Sequence, residues 1–178
     1  DRQVKKKWGL VDGDNLAGEN MNILFSKVYS CGAEGNKITV TGALAGVARL
    51  PIFKYMAEYE FFKDGEIKVT LNGKVRENLE IFLPRLGFEF TSPCPNDSFT
   101  YFGMGEGENY CDMHHHVRMG MYKSSAQKEY VNYVMPQEHG NHTRAKLLKM
   151  GSGLTFFTDG EFEFNVSQYT KEALTEAM

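Results

Sequence analysis

The densest group of residues able to do chemistry lies between Gly105 and His116, where the sequence reads GEGENYCDMHHH. Two glutamates within it could serve as the paired carboxylates that glycoside hydrolysis requires. Aspartate and histidine side chains are ordinary ligands of zinc and related metals, and three consecutive histidines end the segment. The segment is therefore a candidate for two kinds of chemistry, hydrolysis by a carboxylate pair and metal binding.

The candidate metal ligands are Asp112, His114 and His116. If the segment is a strand, alternate residues share one face, so these three side chains would point the same way. Ligating histidines normally also hydrogen-bond a group that orients the ring, and no flanking acid recurs at such a position. The spacing is also common by chance. The sequence therefore predicts no metal site, with these three residues as the alternative set of ligands.

The sequence predicts no catalytic residue in this chain. Glu106 and Glu108 would share one face of a strand, but neither lies in an apolar stretch that could isolate it as the acid of a glycosidase. Cys111 has histidines near it in the sequence only, and no serine stands in a nucleophile-elbow motif. We expect Cys111 to have a packing role.

A second polar segment runs from Tyr133 to Asn141 and reads YVMPQEHGN. Hydrogen-bonding groups held by proline and glycine often build a buried network or contact a ligand, and an ordered polar turn between strands explains them equally well. We predict that Gln137 and Glu138 of this segment are the partners of Glu108, Asn109 and Tyr110. A buried carboxylate must be hydrogen-bonded, because leaving such a group unpaired costs about 1–3 kcal/mol.

The elements that must position these segments are predicted to be antiparallel strands separated by tight turns. Asp64-Gly65 and Asp159-Gly160 are pairs that a tight hairpin turn prefers. The predicted strands cover residues 22–30, 37–44, 99–104 and 143–150, with one hairpin over 53–75 and a second over 154–166.

One short helix is predicted at the C-terminal end, from Tyr169 to Met178. The Thr170 hydroxyl can cap it, and Glu172 lies in the first turn, where the helix dipole favours an anion. A further turn or two of helix could form between residues 123 and 131. Many antiparallel strands with one short C-terminal helix predict an all-β fold, an antiparallel β-sandwich or barrel in a single domain over residues 1–178.

Composition and charge exclude several classes of partner. The net charge of −3 gives no electrostatic case for nucleic acid or an anionic membrane, and no apolar run reaches the length of a membrane span. The three cysteines show no CxxC spacing, which predicts neither a disulfide framework nor a zinc ribbon. We therefore expect no nucleic acid and no membrane among the partners. The compartment stays open, with the cytoplasm slightly favoured and the periplasm as the alternative.

The two polar segments together resemble the C-terminal domain of the large beta-galactosidases of glycoside hydrolase family 2. Gly107-Glu108-Asn109-Tyr110 precedes the segment that starts at Tyr133, in the order that the family shows. Residues 54–73 resemble the long hairpin of that domain, and residues 164–170 resemble its late strand-to-helix segment. The family usually continues Glu-Asn-Tyr with Pro-Asp-Arg, whereas this sequence reads Cys-Asp-Met and keeps only Asp112.

The resemblance implies a large antiparallel β-sandwich of the galactose mutarotase-like superfold, a supersandwich. It implies a parent enzyme that hydrolyses terminal beta-D-galactosides with retention, through two glutamates of a barrel domain outside this chain. It implies no cofactor in this chain, with Mg and Na bound in that barrel domain. It also implies a chain cut at both ends, a homo-oligomeric parent, and partners consisting of the rest of the parent polypeptide and, through it, the galactoside substrate.

The residues of the two motifs are expected to act structurally or to lie close to the sugar pocket, and the histidines to be incidental. We expect Glu108 and Tyr110 on one face of a strand edge and Asn109 on the other. The alternative is a stand-alone carbohydrate-binding β-sandwich. The motif residues are Glu108, Asn109, Tyr110, Asp112, Tyr133, Pro136, Gln137, Glu138 and Gly140.

Overall fold

The structure of the chain is a computed structural model that describes residues 19–21, 24–77, 83, 85–94 and 98–177. The described residues group into two compact units, the first ending at Phe88 and the second beginning at Glu89. Each unit is built on one four-stranded antiparallel sheet. The organisation of residues 1–178 as a single domain stays a prediction.

The first unit is a meander in which each strand pairs with the next, in the order β1-β2-β3-β4. The turn between β3 and β4 contains the predicted Asp64-Gly65 pair, and Gly65 has a φ of +91°. Glycine adopts this left-handed conformation without the steric cost of a Cβ, so the predicted hairpin is confirmed. The strands are β1 (Leu24–Glu34), β2 (Lys37–Gly46), β3 (Phe53–Phe61) and β4 (Ile67–Val75).

Alternation along these strands gives the first sheet one apolar and one polar face. On the apolar face, Ala57 is in register with Val40 and Leu71 and is almost fully buried. Phe53 is buried on the same face. The opposite face carries mostly lysine, glutamate and threonine side chains, as the period-2 pattern predicts.

The second unit has the strand order β6-β5-β7-β8. Its core lies on one face of the sheet, where Tyr101 and Phe99 are in register with Leu148 and Met150. The ring of Phe164 meets that of Phe99 edge-on, with 5.8 Å between centroids, a favourable aromatic geometry. The strands are β5 (Ser98–Gly105), β6 (Arg118–Ser125), β7 (Asn141–Met150) and β8 (Thr155–Asn165).

A short helix, α1 (Lys171–Glu176), follows β8. The Ala173 amide donates a hydrogen bond of 3.2 Å to Oγ1 of Thr170, so the predicted cap is confirmed. Leu174 is the buried residue of the helix among those whose side chains are described. The all-β antiparallel class with a short C-terminal helix is confirmed for the described part of the chain. Within that part, no helix combines the length and apolar character that a membrane crossing requires.

The predicted hairpin over residues 154–166 is wrong, because β8 is one continuous strand. Its register against β7 jumps from Leu147 opposite Phe157 to Ala145 opposite Phe162. The extra β8 residues, which include Asp159-Gly160, are absorbed in this irregular stretch. The Asp159-Gly160 pair therefore forms part of a bulge within β8 and does not reverse the chain.

The possible helix between residues 123 and 131 is limited to a single turn and forms no named helix. Lys123 to Ser125 complete β6, a strand that the sequence analysis did not predict. A single hydrogen-bonded turn follows, in which the amides of Lys128 and Glu129 donate to the Ser125 carbonyl at 2.9 and 3.1 Å. The helical character of the segment stops after that turn.

Candidate functional site

The two polar segments meet in the second unit, where the loop after β5 lies against the start of β7. The Asn109 amide donates to the carbonyl of Asn141 at 2.7 Å, and Nδ2 of Asn141 donates back to the carbonyl of Asn109 at 3.0 Å. Nδ2 of Asn141 also donates to the Glu163 carboxylate on β8 at 3.2 Å. These bonds join residues that lie far apart in the sequence, as the resemblance of the two motifs implies.

The side chain of Asn109 is fully buried and uses all of its hydrogen-bonding capacity. Its Oδ1 accepts from the amide of Thr143 at 2.9 Å and from the Thr143 hydroxyl at 2.6 Å. Its Nδ2 donates to the carbonyls of Met104 and Gly107, each at 3.1 Å. One side chain therefore ties the end of β5 to the start of β7.

Glu108 receives hydrogen bonds from the second polar segment at both carboxylate oxygens. Oε1 accepts from the Tyr133 hydroxyl, and Oε2 accepts from the Gly140 amide at 2.9 Å. The hydrogen bond to Glu108, followed by burial and by the charge of Glu108, raises the pKa of Tyr133 to about 12. The phenol therefore stays protonated and remains a donor across the neutral pH range.

Gly140 has a conformation that this arrangement requires. Its φ is +73°, and a Cβ at this position would lie 3.1 Å from the carbonyl oxygen of Glu129. A side chain would add backbone strain and crowd that carbonyl. Glycine therefore lets the Gly140 amide approach the Glu108 carboxylate.

The partners predicted for Glu108 differ from those observed. Gln137 is exposed and contributes its backbone carbonyl, which accepts a 2.8 Å hydrogen bond from Nδ1 of His139. Tyr133 and Gly140 supply the donors instead, because their hydroxyl and amide face the carboxylate. Glu138 is half-buried in the same segment, as is Pro136.

The segment from Glu108 to His116, considered above as a possible strand, is a loop with one isolated bridge between Tyr110 and Met113. Tyr110 is half-buried beside it, and the turn that closes the bridge exposes Asp112 and Cys111. The predicted packing role of Cys111 is therefore wrong. The predicted alternation of Glu108 and Asn109 on opposite faces of a strand does not apply to this loop.

The alternative metal ligands also lie in this loop rather than on a strand. Nε2 of His116 donates a 3.0 Å hydrogen bond to the Glu108 carbonyl, which stabilises the loop. Among the described residues, no group of three or more His, Cys, Asp or Glu side chains is placed to hold a metal ion. The absence of a metal from the working protein stays a prediction.

A buried chain of three polar side chains, Glu129, His142 and Tyr101, was not predicted from the sequence. His142 is fully buried; its Nε2 lies 2.9 Å from Oε2 of Glu129, and its Nδ1 lies 3.0 Å from the Tyr101 hydroxyl. The His142 ring also stacks on Phe164, with 5.0 Å between centroids. His142 joins the turn after β6 to the core, a role that the expectation for the histidine run His114–His116 did not cover.

Two pKa shifts follow from this burial. Burial, and then the charges of Glu129, Tyr122 and Glu106, raise the pKa of Tyr101, so its hydroxyl stays protonated. Burial alone would raise the pKa of Glu129, but hydrogen bonds from His142 and Ser124 and the nearby histidine charges outweigh it and lower that pKa. Glu129 therefore stays ionised at neutral pH and accepts the hydrogen bond of Nε2.

A second buried histidine fixes the segment that contains Gln137. His139 is 3% exposed, and its backbone carbonyl accepts a hydrogen bond from Nδ2 of Asn165 on β8. The ring of Tyr130 meets the His139 ring edge-on at 5.1 Å. Extending β7 two residues backward from Thr143 would have placed Asn141 and His142 in the strand, but alternation indicates burial for Asn141 alone, on the face of Thr143 and Ala145.

The bonds of this network determine what it can do chemically. Both oxygens of Glu108 are occupied by donors from the chain itself, and Asn109, Glu129 and His142 are buried. Glu106, the other member of the candidate acid pair, is exposed. The arrangement is suited to fixing two loops and the start of β7. In this structure Glu106 and Glu108 do not form a pair of opposed carboxylates of the kind that glycoside hydrolysis requires.

The replacement of Glu108 by alanine tests the structural role of this carboxylate. Glu108→Ala leaves the Tyr133 hydroxyl and the Gly140 amide without their acceptor, so we expect a loss of about 1–3 kcal/mol in the free energy of unfolding. Urea unfolding should show an unchanged m-value. Glu66→Ala, at an exposed turn position, should stay within about 0.5 kcal/mol. Unchanged stability with lost galactoside binding would instead assign Glu108 to a sugar site.

The fold is all-β in the described part of the chain, and the buried polar residues of the second unit hold its loops. The sequence model of the family described as "Beta galactosidase small chain" matches residues 3–178, and the chain belongs to this family. The predicted resemblance to beta-galactosidases is therefore confirmed.

Individual relatives agree with the family match. The chain is 31% identical to a protein named beta-galactosidase from Actinobacillus pleuropneumoniae over 176 residues, which covers 99% of this chain. It is also 31% identical to a beta-galactosidase from Kluyveromyces lactis, with 93% of this chain covered. The chain spans 17% of the length of each of these relatives.

Proposed function

We propose that this chain is an accessory C-terminal β-sandwich domain of a beta-galactosidase that hydrolyses terminal beta-D-galactosides with retention. The observation that carries the proposal is the family match over residues 3–178, together with relatives named beta-galactosidase of which the chain spans 17%. In this proposal, the two catalytic glutamates belong to a barrel domain supplied by the remainder of the parent protein.

The contribution of this chain to the enzyme is the fixed geometry of its loops. Asn109 and Glu108 bind the loop after β5 to the segment that precedes β7, so both loops hold one conformation. A sugar pocket needs such preorganised walls, because each loop that must be ordered on binding lowers the affinity. The network therefore supports the proposal as a scaffold close to the sugar pocket.

The proposal extends to partners and metals. The partner of the chain is the rest of the parent enzyme, which reaches the galactoside and assembles as a homo-oligomer. As the resemblance to the family implies, Mg and Na would be held by the barrel domain, and this chain would bind no cofactor of its own.

The stereochemistry of the reaction tests this proposal on the parent protein. A polypeptide or complex that contains this chain should cleave a nitrophenyl beta-D-galactoside, and NMR should show the beta anomer of galactose as the first product. The matched control is the corresponding nitrophenyl beta-D-glucoside, which should react more slowly. Absence of galactoside cleavage, or first release of the alpha anomer, would contradict the proposal.

A further inference from the structure

The polar face of the first sheet carries rows of charged residues that run across its four strands. At one end of the face, Glu60 of β3 is in register with Lys37 of β2 and Lys68 of β4, and Lys37 is in register with Glu34 of β1. The signs alternate across all four strands in this balanced row. Opposite charges on directly facing residues stabilise a sheet, so this end is internally compensated.

The other end of the same face is different. Lys54 of β3 is in register with Lys74 of β4 on one side and with Ala43 of β2 on the other, and Ala43 is in register with Lys27 of β1. The three lysines of this basic row are exposed. Strands lie about 4.8 Å apart, so the three lysines span about 15 Å. Lys54 and Lys74 face each other directly, and facing like charges destabilise a sheet.

The chain compensates this charge only in part. Lys74 forms an ion pair of 2.6 Å with Glu77, but both side chains are about three-quarters exposed, and such pairs are weak. Nζ of Lys27 lies 5.8 Å from the centroid of the Tyr29 ring. Among the described residues, Lys27 and Lys54 have no carboxylate within ion-pair distance. The basic row therefore keeps a net positive charge, although the whole chain carries −3.

Two exposed apolar side chains lie on the same face beside the basic row. Phe25 lies two residues before Lys27 on the same face of β1, and Met56 lies two residues after Lys54 on the same face of β3. Phe25 is 46% exposed and Met56 is 38% exposed. Aromatic and methionine side chains are enriched in protein interfaces, which are bordered by a polar rim. Phe25 and Met56 beside the basic row therefore fit a surface that contacts protein, and the negative charge of the chain disfavours nucleic acid and anionic membranes.

We propose that the basic row, together with Phe25 and Met56, docks an acidic segment of the remaining part of the parent protein. This inference rests on the proposed function, because relatives of which the chain spans 17% leave a large part of the enzyme to lie against it. Carboxylates from that segment would neutralise Lys27 and Lys54 and relieve the repulsion between Lys54 and Lys74. The complementary charges would determine how the acidic segment is oriented on the basic row more than how tightly it binds.

Amine labelling with sulfo-N-hydroxysuccinimide acetate, quantified by mass spectrometry, tests the docking without altering the fold. In the parent protein, Lys27 and Lys54 should be acetylated about tenfold more slowly than the control residues, as expected for a face that is covered about nine-tenths of the time. The controls are Lys68 of the balanced row and Lys63 in the exposed β3–β4 turn. In 1 M NaCl the difference should shrink severalfold, because the screening length falls to about 3 Å.

The outcomes separate this inference from the proposed function. Labelling of Lys27 and Lys54 as fast as Lys63, in a parent that hydrolyses galactosides, would overturn the docking and leave the function intact. Protection that is insensitive to salt would overturn the acidic nature of the partner. Protection in the 178-residue chain alone would assign the cover to this chain's own residues and also overturn the inference. A protected basic row in a parent without galactosidase activity would keep the docking and reject the function.

Discussion

Asn109→Ala should lower the free energy of unfolding of this chain by about 3–5 kcal/mol, as measured by urea unfolding. Asn109 is fully buried, and its side chain satisfies the amide and hydroxyl of Thr143 and the carbonyls of Met104 and Gly107. Alanine removes all four bonds at once and leaves buried backbone groups unpaired. Losses from groups that share one side chain are expected to exceed the cost of a single missing hydrogen bond.

Two comparisons make this result specific. Asn72→Ala on β4 is a matched control, because Asn72 is exposed, and it should change the stability by no more than about 0.5 kcal/mol. Asn109→Asp keeps the shape but places a carboxylate oxygen against the Met104 and Gly107 carbonyls, so it should also destabilise strongly at neutral pH. A loss below about 1 kcal/mol for Asn109→Ala would mean that water replaces the side chain in the network.

His142→Ala is expected to be equally damaging, with a loss of about 3–5 kcal/mol. The substitution leaves Glu129 as a buried carboxylate without its main donor and opens a cavity between Tyr101 and Phe164. His115→Ala provides the control, because His115 is exposed in a turn, and it should stay within about 0.5 kcal/mol. Equal, small effects of the two substitutions would show that His142 is dispensable.

The pH dependence of the same pair has a defined sign. The pKa of Glu129 is lowered in the folded chain, so its contribution to stability is present above its ordinary value of 4.5 and is lost as the pH falls through the folded pKa. The difference in unfolding free energy between the wild-type chain and Glu129→Gln should therefore shrink on acidification below about pH 4.5. A difference that grows in that range would contradict the assignment of Glu129 as the ionised partner of His142.

The sequence predicted the strands best where one local signal dominated. Period-2 alternation and Asp64-Gly65 located the β3–β4 hairpin, because the pattern and the turn residues agree. Asp159-Gly160 led to a wrong prediction of a hairpin turn, because the same dipeptide also suits a bulge. The register of β8 against β7 decides between the turn and the bulge. The unpredicted β6 has a glycine in its interior, and β5 holds it in the sheet through tertiary pairing rather than local preference.

The candidate site was predicted as a pair of segments but not as a set of contacts. The resemblance placed Glu108 and Asn109 together with the segment around Tyr133, and the structure brings these residues together. The Gly140 partner of Glu108 could not be derived from the sequence, because a backbone amide leaves no residue-type signal. His142 was missed because its burial depends on Tyr101 and Glu129, which lie on other elements.

The central claim is that this chain serves a beta-galactosidase whose catalytic groups lie elsewhere in the parent protein. The most direct measurement is the rate of nitrophenol release from a nitrophenyl beta-D-galactoside by the purified 178-residue chain and by the parent protein that contains it, at equal molar concentration. We predict turnover by the parent and none above background by the chain alone. Turnover by the chain that survives repurification and disappears in Glu108→Ala or Glu106→Ala would contradict the account, as would a parent protein that releases no nitrophenol.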